Sequence, residues 1–126
     1  MPKQVVSTPK APAAVGPYSQ AAKIGPLVFA SGQLPLDPET GLKVTGGVAK
    51  ETERAMENLK AVLEAAGCGM EQVVKVTVYL NDMADFKFVN EVYQRYFPEN
   101  PPARTTIQAG IPRGCALEVD AIAVMG

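Results

Sequence analysis

The chain has 126 residues and contains neither histidine nor tryptophan. The missing imidazole narrows the chemistry most: there can be no Ser-His-Asp or Cys-His nucleophile pair and no histidine acid or base. Histidine-bearing zinc sites are excluded as well, and two cysteines are too few for an all-thiolate one. Neither sign of charge is in marked excess, with 12 Lys and Arg against 13 Asp and Glu. No basic field is therefore available to draw in nucleic acid or anionic lipid. No stretch approaches the roughly 18 apolar residues that span a bilayer, and Met1 to Lys10 holds no apolar run of signal-peptide length. The phosphate-cradling Walker A pattern does not occur. Gly67, Cys68 and Gly69 follow a helical pattern rather than open one, so they make no dinucleotide fingerprint. The expected setting is a reduced cytoplasm, with Cys68 and Cys115 as free thiols. Any catalysis must use Arg, Lys, Asp, Glu, Tyr, Ser, Thr, backbone groups and water.

What is present is an ordinary globular composition, 47% hydrophobic and 20% charged, of a length that suits one domain over residues 1–126. The pattern reads β-β-β-α-β-α-β-β. A short strand near Gln4 to Ser7 precedes a Pro/Ala-rich stretch from Pro9 to Pro17, which composition alone makes a flexible linker. Ser19 to Ile24 and Leu27 to Leu34 flank the turn signal Gly25-Pro26 and predict a hairpin. A helix is expected from Val48 to Ala66, with Ala55, Met56, Leu59, Val62, Leu63 and Ala66 as its apolar stripe and Gly67 just past its end. Val73 to Leu80 alternates, with Val74, Val76, Val78 and Leu80 on one side. A second helix, capped by Asn81 or Asp82, carries Phe86, Val89, Tyr93 and Phe97. Strands near Arg104 to Ala109 and Ala116 to Met125 close the chain around a loop at Pro112 to Gly114. Two amphipathic helices on one face of a mainly antiparallel, mixed six-stranded sheet make an α+β fold. The last strand is apolar on both faces, so a second subunit is expected to cover the face the helices leave open.

Several polar residues stand out against this frame. Arg104 follows Pro101, Pro102 and Ala103, which fix where its guanidinium points; it suits bidentate capture of a carboxylate, or a surface pair with a nearby acid. Glu118 lies mid-strand beside Ile122 and Val124, with Asp120 on the same side. A carboxylate there either holds and activates water or serves as a rim residue or partner for Arg104. Tyr18 sits in the stiff segment GPYSQ (Gly16 to Gln20), where a packed loop aromatic is the plainer reading. Ser31 and Gly32 fall inside a strand, and glycine at such a place marks a bulge or the close approach of another group. Ser31 has no base of the usual kind to make it a nucleophile. Asn90 flanks the stripe of the second helix, where a structural amide is the default.

Taken together, AAVGPYSQ (Ala13 to Gln20), SGQLP (Ser31 to Pro35), KVTVY (Lys75 to Tyr79), and PAR (Pro102 to Arg104) with LEVDAIA (Leu117 to Ala123) resemble the reactive intermediate deaminase A (RidA, YjgF) family over essentially the whole chain. The resemblance implies a chorismate-mutase-like fold and a homotrimer with sites between subunits. The activity it implies is hydrolysis of the 2-iminobutanoate and 2-iminopropanoate that pyridoxal-phosphate enzymes release. It also implies roles. Arg104 would grip the substrate carboxylate and Glu118 would hold the attacking water. Gly32 would offer backbone contact beside Ser31, Tyr18 would line the cleft from the adjacent chain, and Asn90 would lie near the site. At Thr106 many members have cysteine; a role for the backbone carbonyl survives that change and a role for a thiol does not. No metal or organic cofactor is required by such a reaction.

Two other readings are compatible with Arg104. One is a binding or chaperone-like trimer that holds small carboxylates without turnover, against which Glu118 argues. The other is a ribonuclease or translation inhibitor, against which the charge balance, the missing histidine and the lack of an aromatic-basic patch argue.

Overall fold

The structure is a computed structural model and describes residues 2–126. Six strands form one sheet: β1 (Gln4–Val6), β2 (Ala21–Ile24), β3 (Leu27–Gln33), β4 (Val73–Leu80), β5 (Ala103–Gln108) and β6 (Leu117–Val124), in the order β1-β2-β3-β6-β4-β5. The helices are α1 (Val48–Ala66) and α2 (Phe86–Tyr93). All neighbours are antiparallel except β4 and β5. A parallel pair cannot be closed by a tight turn, and α2 supplies the crossover. The α1 segment likewise carries the chain from β3 over β6 to β4. Both crossovers step in the same direction across the sheet, so the right-handed rule puts both helices on one face. The expected mixed α+β architecture with two helices on one face is what the chain adopts. Among the described residues, no helix is long and apolar enough to cross a membrane.

Between helices and sheet lies the core. The predicted α1 stripe is buried throughout, and Gly67 ends the helix at φ 97°, a left-handed conformation that suits a residue without Cβ. Leu117, Val119, Ala121 and Ala123 face the helices, while Glu118, Asp120, Ile122 and Val124 on the other side are half-buried. That open face also carries Leu27 and Phe29, which pair with Val124 and Ile122. Both cysteines are buried and unbridged, and burial raises both thiols above their ordinary range.

Four local expectations need correction. Val74 is exposed, because Val73 pairs with Ala123 and Lys75 with Ile122, so the strand bulges at Val74 and Val73 takes the inward place. The α-helical part of the second helix is short. Asp82 caps a preceding 3₁₀ turn by accepting from the Ala84 amide at 2.9 Å, Asn81 accepts instead from the Ile111 amide, and a second 3₁₀ turn carries the chain from Gln94 to Tyr96. Phe86 is only partly buried, while Val92 joins Val89, Tyr93 and Phe97 inside. The Pro/Ala-rich stretch is not a free linker. The buried Gln20 side chain accepts from the Thr8 amide at 2.6 Å and donates to the carbonyls of Thr8, Ala11 and Pro12 at 3.1, 3.3 and 2.9 Å. Asn58, fully buried on α1, does the same for the next loop, donating to the carbonyls of Leu34 and Leu36 at 3.0 and 2.9 Å.

Candidate functional site

Glu118 stands on the open face of β6 at the end of a cleft of about 460 Å³. The walls come from the two pinned loops (Pro12, Ala13, Val15, Leu34, Leu36), from Tyr18, Ser31 and Gly32, and from Pro112 and Arg113. Ala30 pairs with Ala121 and Gln33 with Val119, so three steps along β3 meet two along β6, and the bulge falls at Ser31 and Gly32. The Glu118 carboxylate packs directly on Gly32. A Cβ added there would lie 2.8 Å from the carboxyl carbon and overlap an oxygen, so the carboxylate keeps this position only beside glycine. Burial pushes the Glu118 carboxyl above its ordinary value of 4.5, and the negative charge of Asp120 pushes it the same way. Asp120 itself accepts from the Tyr79 hydroxyl at 2.9 Å.

The neighbours of Glu118 are held by hydrogen bonds to main-chain groups. Ser31 donates its hydroxyl to the Ser19 carbonyl at 2.6 Å, a structural bond that leaves it no base. The half-exposed Tyr18 ring overhangs the cleft, its hydroxyl 3.4 Å from the Val15 amide. Arg113 was not singled out by the sequence. It adopts φ 62°, uncommon for a residue with a side chain, and donates to the Gly41 carbonyl at 2.9 Å.

Arg104 lies in a different hollow, lined by Asn90, Tyr93, Gln94, Phe97, Pro98, Pro101 and Pro102. Its guanidinium donates to the Asn90 Oδ1 at 2.7 Å and lies 4.8 Å from the centre of the Tyr93 ring and 5.5 Å from that of Phe86. Burial raises the Tyr93 phenol, and the positive charge of Arg104 pulls it partly back. The hydrogen bond of Arg104 thus goes to a neutral amide, which leaves its charge available. Thr106 follows two places along β5, half-buried, and lines neither hollow.

Strand pairing fixes how the two hollows relate. Arg104 pairs with Val76, which is fully buried under the helices; Glu118 pairs with Tyr79, which points the other way. The two side chains therefore leave opposite faces of the sheet, and within one chain they cannot meet. The sequence-predicted residues divide accordingly. Tyr18, Ser31, Gly32 and Glu118 share one cleft, Arg104 and Asn90 share the other, and Thr106 stands apart. A direct Arg104–Glu118 pair, one of the plain readings of Glu118, does not form. Sequence reasoning took Phe86 and Tyr93 only as core. The signal was their spacing, since residues 86, 90 and 93 fall on one side of a helix and the arginine lands against all three.

Among known proteins, the family described as Endoribonuclease L-PSP matches residues 8–125. The chain is 51% identical over 125 residues to the 2-iminobutanoate/2-iminopropanoate deaminase of Mus musculus, covering 98% of this chain and 93% of the mouse protein. Among solved structures, RidA from an Antarctic Psychrobacter is 44% identical with a TM-score of 0.92, covering 97% of this chain and 99% of that one. E. coli TdcF, crystallised with bound serine, is 37% identical with a TM-score of 0.92, covering 98% of this chain and 99% of that one.

Proposed function

The chain belongs to the Endoribonuclease L-PSP family, that of the YjgF/RidA proteins, and from that premise we propose that it is a cytoplasmic 2-iminobutanoate/2-iminopropanoate deaminase. It works as a single-domain subunit of a homotrimer, in sites shared between copies. The names of its relatives support an imine deaminase, and the serine held by TdcF supports a small carboxylate-bearing ligand. One observation carries the shared site: Arg104 and Glu118 leave opposite faces of the sheet, each into its own open hollow. They can serve one substrate only if one copy presents its Arg104 hollow to the Glu118 cleft of another. A half-apolar open face formed by Leu27, Phe29, Ile122 and Val124 is suited to such packing.

The chemistry is modest. The planar guanidinium takes both oxygens of the substrate carboxylate, each charge-assisted hydrogen bond being worth roughly 1.5–3 kcal/mol. That fixes the adjacent C2, which in a protonated imine is already electrophilic. Water held by ionised Glu118 adds to C2, and its proton passes to the carboxylate. The proton is then returned to nitrogen. As the C–N bond breaks, the hydroxyl left on C2 gives its proton to the again ionised Glu118 and becomes the carbonyl of the 2-oxo acid, and the departing ammonia takes that proton away as ammonium. Positioning supplies the larger part of the acceleration, so neither an imidazole nor a cofactor is needed. Tyr18, Ser31 and Gly32 shape the water side and Asn90 the carboxylate side, while Thr106, which lines neither hollow of a single chain, would offer its carbonyl to water only where two copies meet.

Purified protein added to a threonine dehydratase reaction should speed 2-oxobutanoate release and spare the imine from a semicarbazide trap. The shared site has its own test in mixed oligomers of Arg104→Ala and Glu118→Gln chains, each inactive alone. Random mixing in equal parts completes about one site in four when the two residues come from different copies. No recovery on mixing, with co-assembly verified by mass, would defeat the shared site.

A further inference from the structure

We propose that Tyr93 and Phe86 are positioning residues for the Arg104 guanidinium, an aromatic corner that sets the plane in which the arginine meets a substrate carboxylate. The inference rests on Arg104 being the carboxylate ligand proposed above. Three contacts converge on that side chain from α2: the Tyr93 ring at 4.8 Å, the Phe86 ring at 5.5 Å and the Asn90 Oδ1 at 2.7 Å. Asn90 takes up one guanidinium N–H and leaves the rest unclaimed by it. The rings attract the cation through their faces while blocking its rotation toward the helix. Asn90 therefore acts on the substrate through Arg104, in addition to any contact of its own.

The ring of Tyr93, not its hydroxyl, makes this contact. The side chain is 6% exposed, its oxygen has no hydrogen-bond partner among the described residues, and the ring is braced by Phe97 with centroids 5.0 Å apart. A purely structural tyrosine would show itself in stability alone. A positioning tyrosine shows itself in recognition of the carboxylate, and phenylalanine should replace it.

The experiment compares Tyr93→Phe, Tyr93→Leu and Phe86→Leu with wild type and Arg104→Ala. Steady-state kinetics on 2-iminobutanoate and calorimetric binding of 2-oxobutanoate are measured beside thermal midpoints. Tyr93→Phe should keep KM and probe affinity within about twofold, whereas Tyr93→Leu should raise KM and weaken the probe by about tenfold, with kcat changed far less. Phe86→Leu, at a less buried position, should move both the same way by a smaller factor and stands in if Tyr93→Leu does not fold. Wild-type KM and probe affinity in the leucine variants, with Arg104→Ala impaired, would overturn the aromatic corner. So would a Tyr93→Phe variant as impaired as Tyr93→Leu. An Arg104→Ala protein that binds the probe and turns over normally would instead remove the carboxylate role of Arg104.

Discussion

Gly32→Ala isolates the placing of the Glu118 carboxylate from the rest of the fold. The new Cβ would lie 2.8 Å from the carboxyl carbon. Carbon atoms rest at about 3.5–4.0 Å, so that carbon must retreat by roughly 0.7 Å, and the overlapped oxygen ahead of it by more. Gly32 does not have positive φ, so alanine strains no backbone, and it should gain about 0.4–1 kcal/mol by restricting the unfolded chain. Against that stands the shift of a flexible side-chain end off its preferred rotamer, about 0.5–1.5 kcal/mol. The two nearly cancel, so stability should move by less than about 1 kcal/mol. Turnover should not be spared, since a group misplaced by about 1 Å costs on the order of 10²-fold. Chemical denaturation and imine-hydrolysis kinetics on the same preparation measure both quantities. Unchanged kcat would mean that the position of the carboxylate is immaterial, and a loss of several kcal/mol would mean that the bulge needs glycine for its own geometry.

Glu118 should also leave a mark on stability against pH. Its folded pKa is raised, so between its ordinary value and that raised one the native state binds more proton than the unfolded chain. Its stabilising contribution is complete below the ordinary value and is lost as pH rises through the folded pKa. Glu118→Gln should lack this decline and equal or exceed wild type in thermal midpoint at pH 7 while turning over far more slowly; a wild-type pH–stability curve in the variant would contradict the assigned burial. Gln20→Leu should cost about 2–4 kcal/mol, because one amide and three carbonyls lose their partner inside the loop. Its signature is early proteolysis between Pro9 and Pro17, and a variant as resistant as wild type would show that packing alone holds the segment.

The regular elements were legible in the sequence because periodicity is a local property. The bounds of α1 and β4 follow from apolar spacing, and Gly67 marked its own turn. What failed was set by partners distant in sequence. Val74 obeys strict alternation, and nothing within Val73 to Leu80 reveals that the register with β6 slips there. The stretch from Pro9 to Pro17 has the composition of a linker, and one glutamine several residues later ties it down. For the candidate site, the residue types were readable but their grouping was not. Arg104 and Glu118 can be assigned to faces only once β4 is known to lie between β5 and β6. The aromatic neighbours of Arg104 looked like core because they also are core.

Gln20 and Asn58 hold two cleft-forming loops through six hydrogen bonds, all of them to main-chain groups, while Arg54 on α1 donates to the Asn58 oxygen. Every residue type supplies a carbonyl, proline included. The side chains of those loops are thereby released from the task of keeping their own loops in place. Evolution, or a designer, can exchange Pro12, Ala13, Leu34 or Leu36 to reshape the cleft wall for a bulkier or smaller substrate. The two amides cannot be exchanged with the same freedom, since each is the fixed peg from which a variable surface hangs.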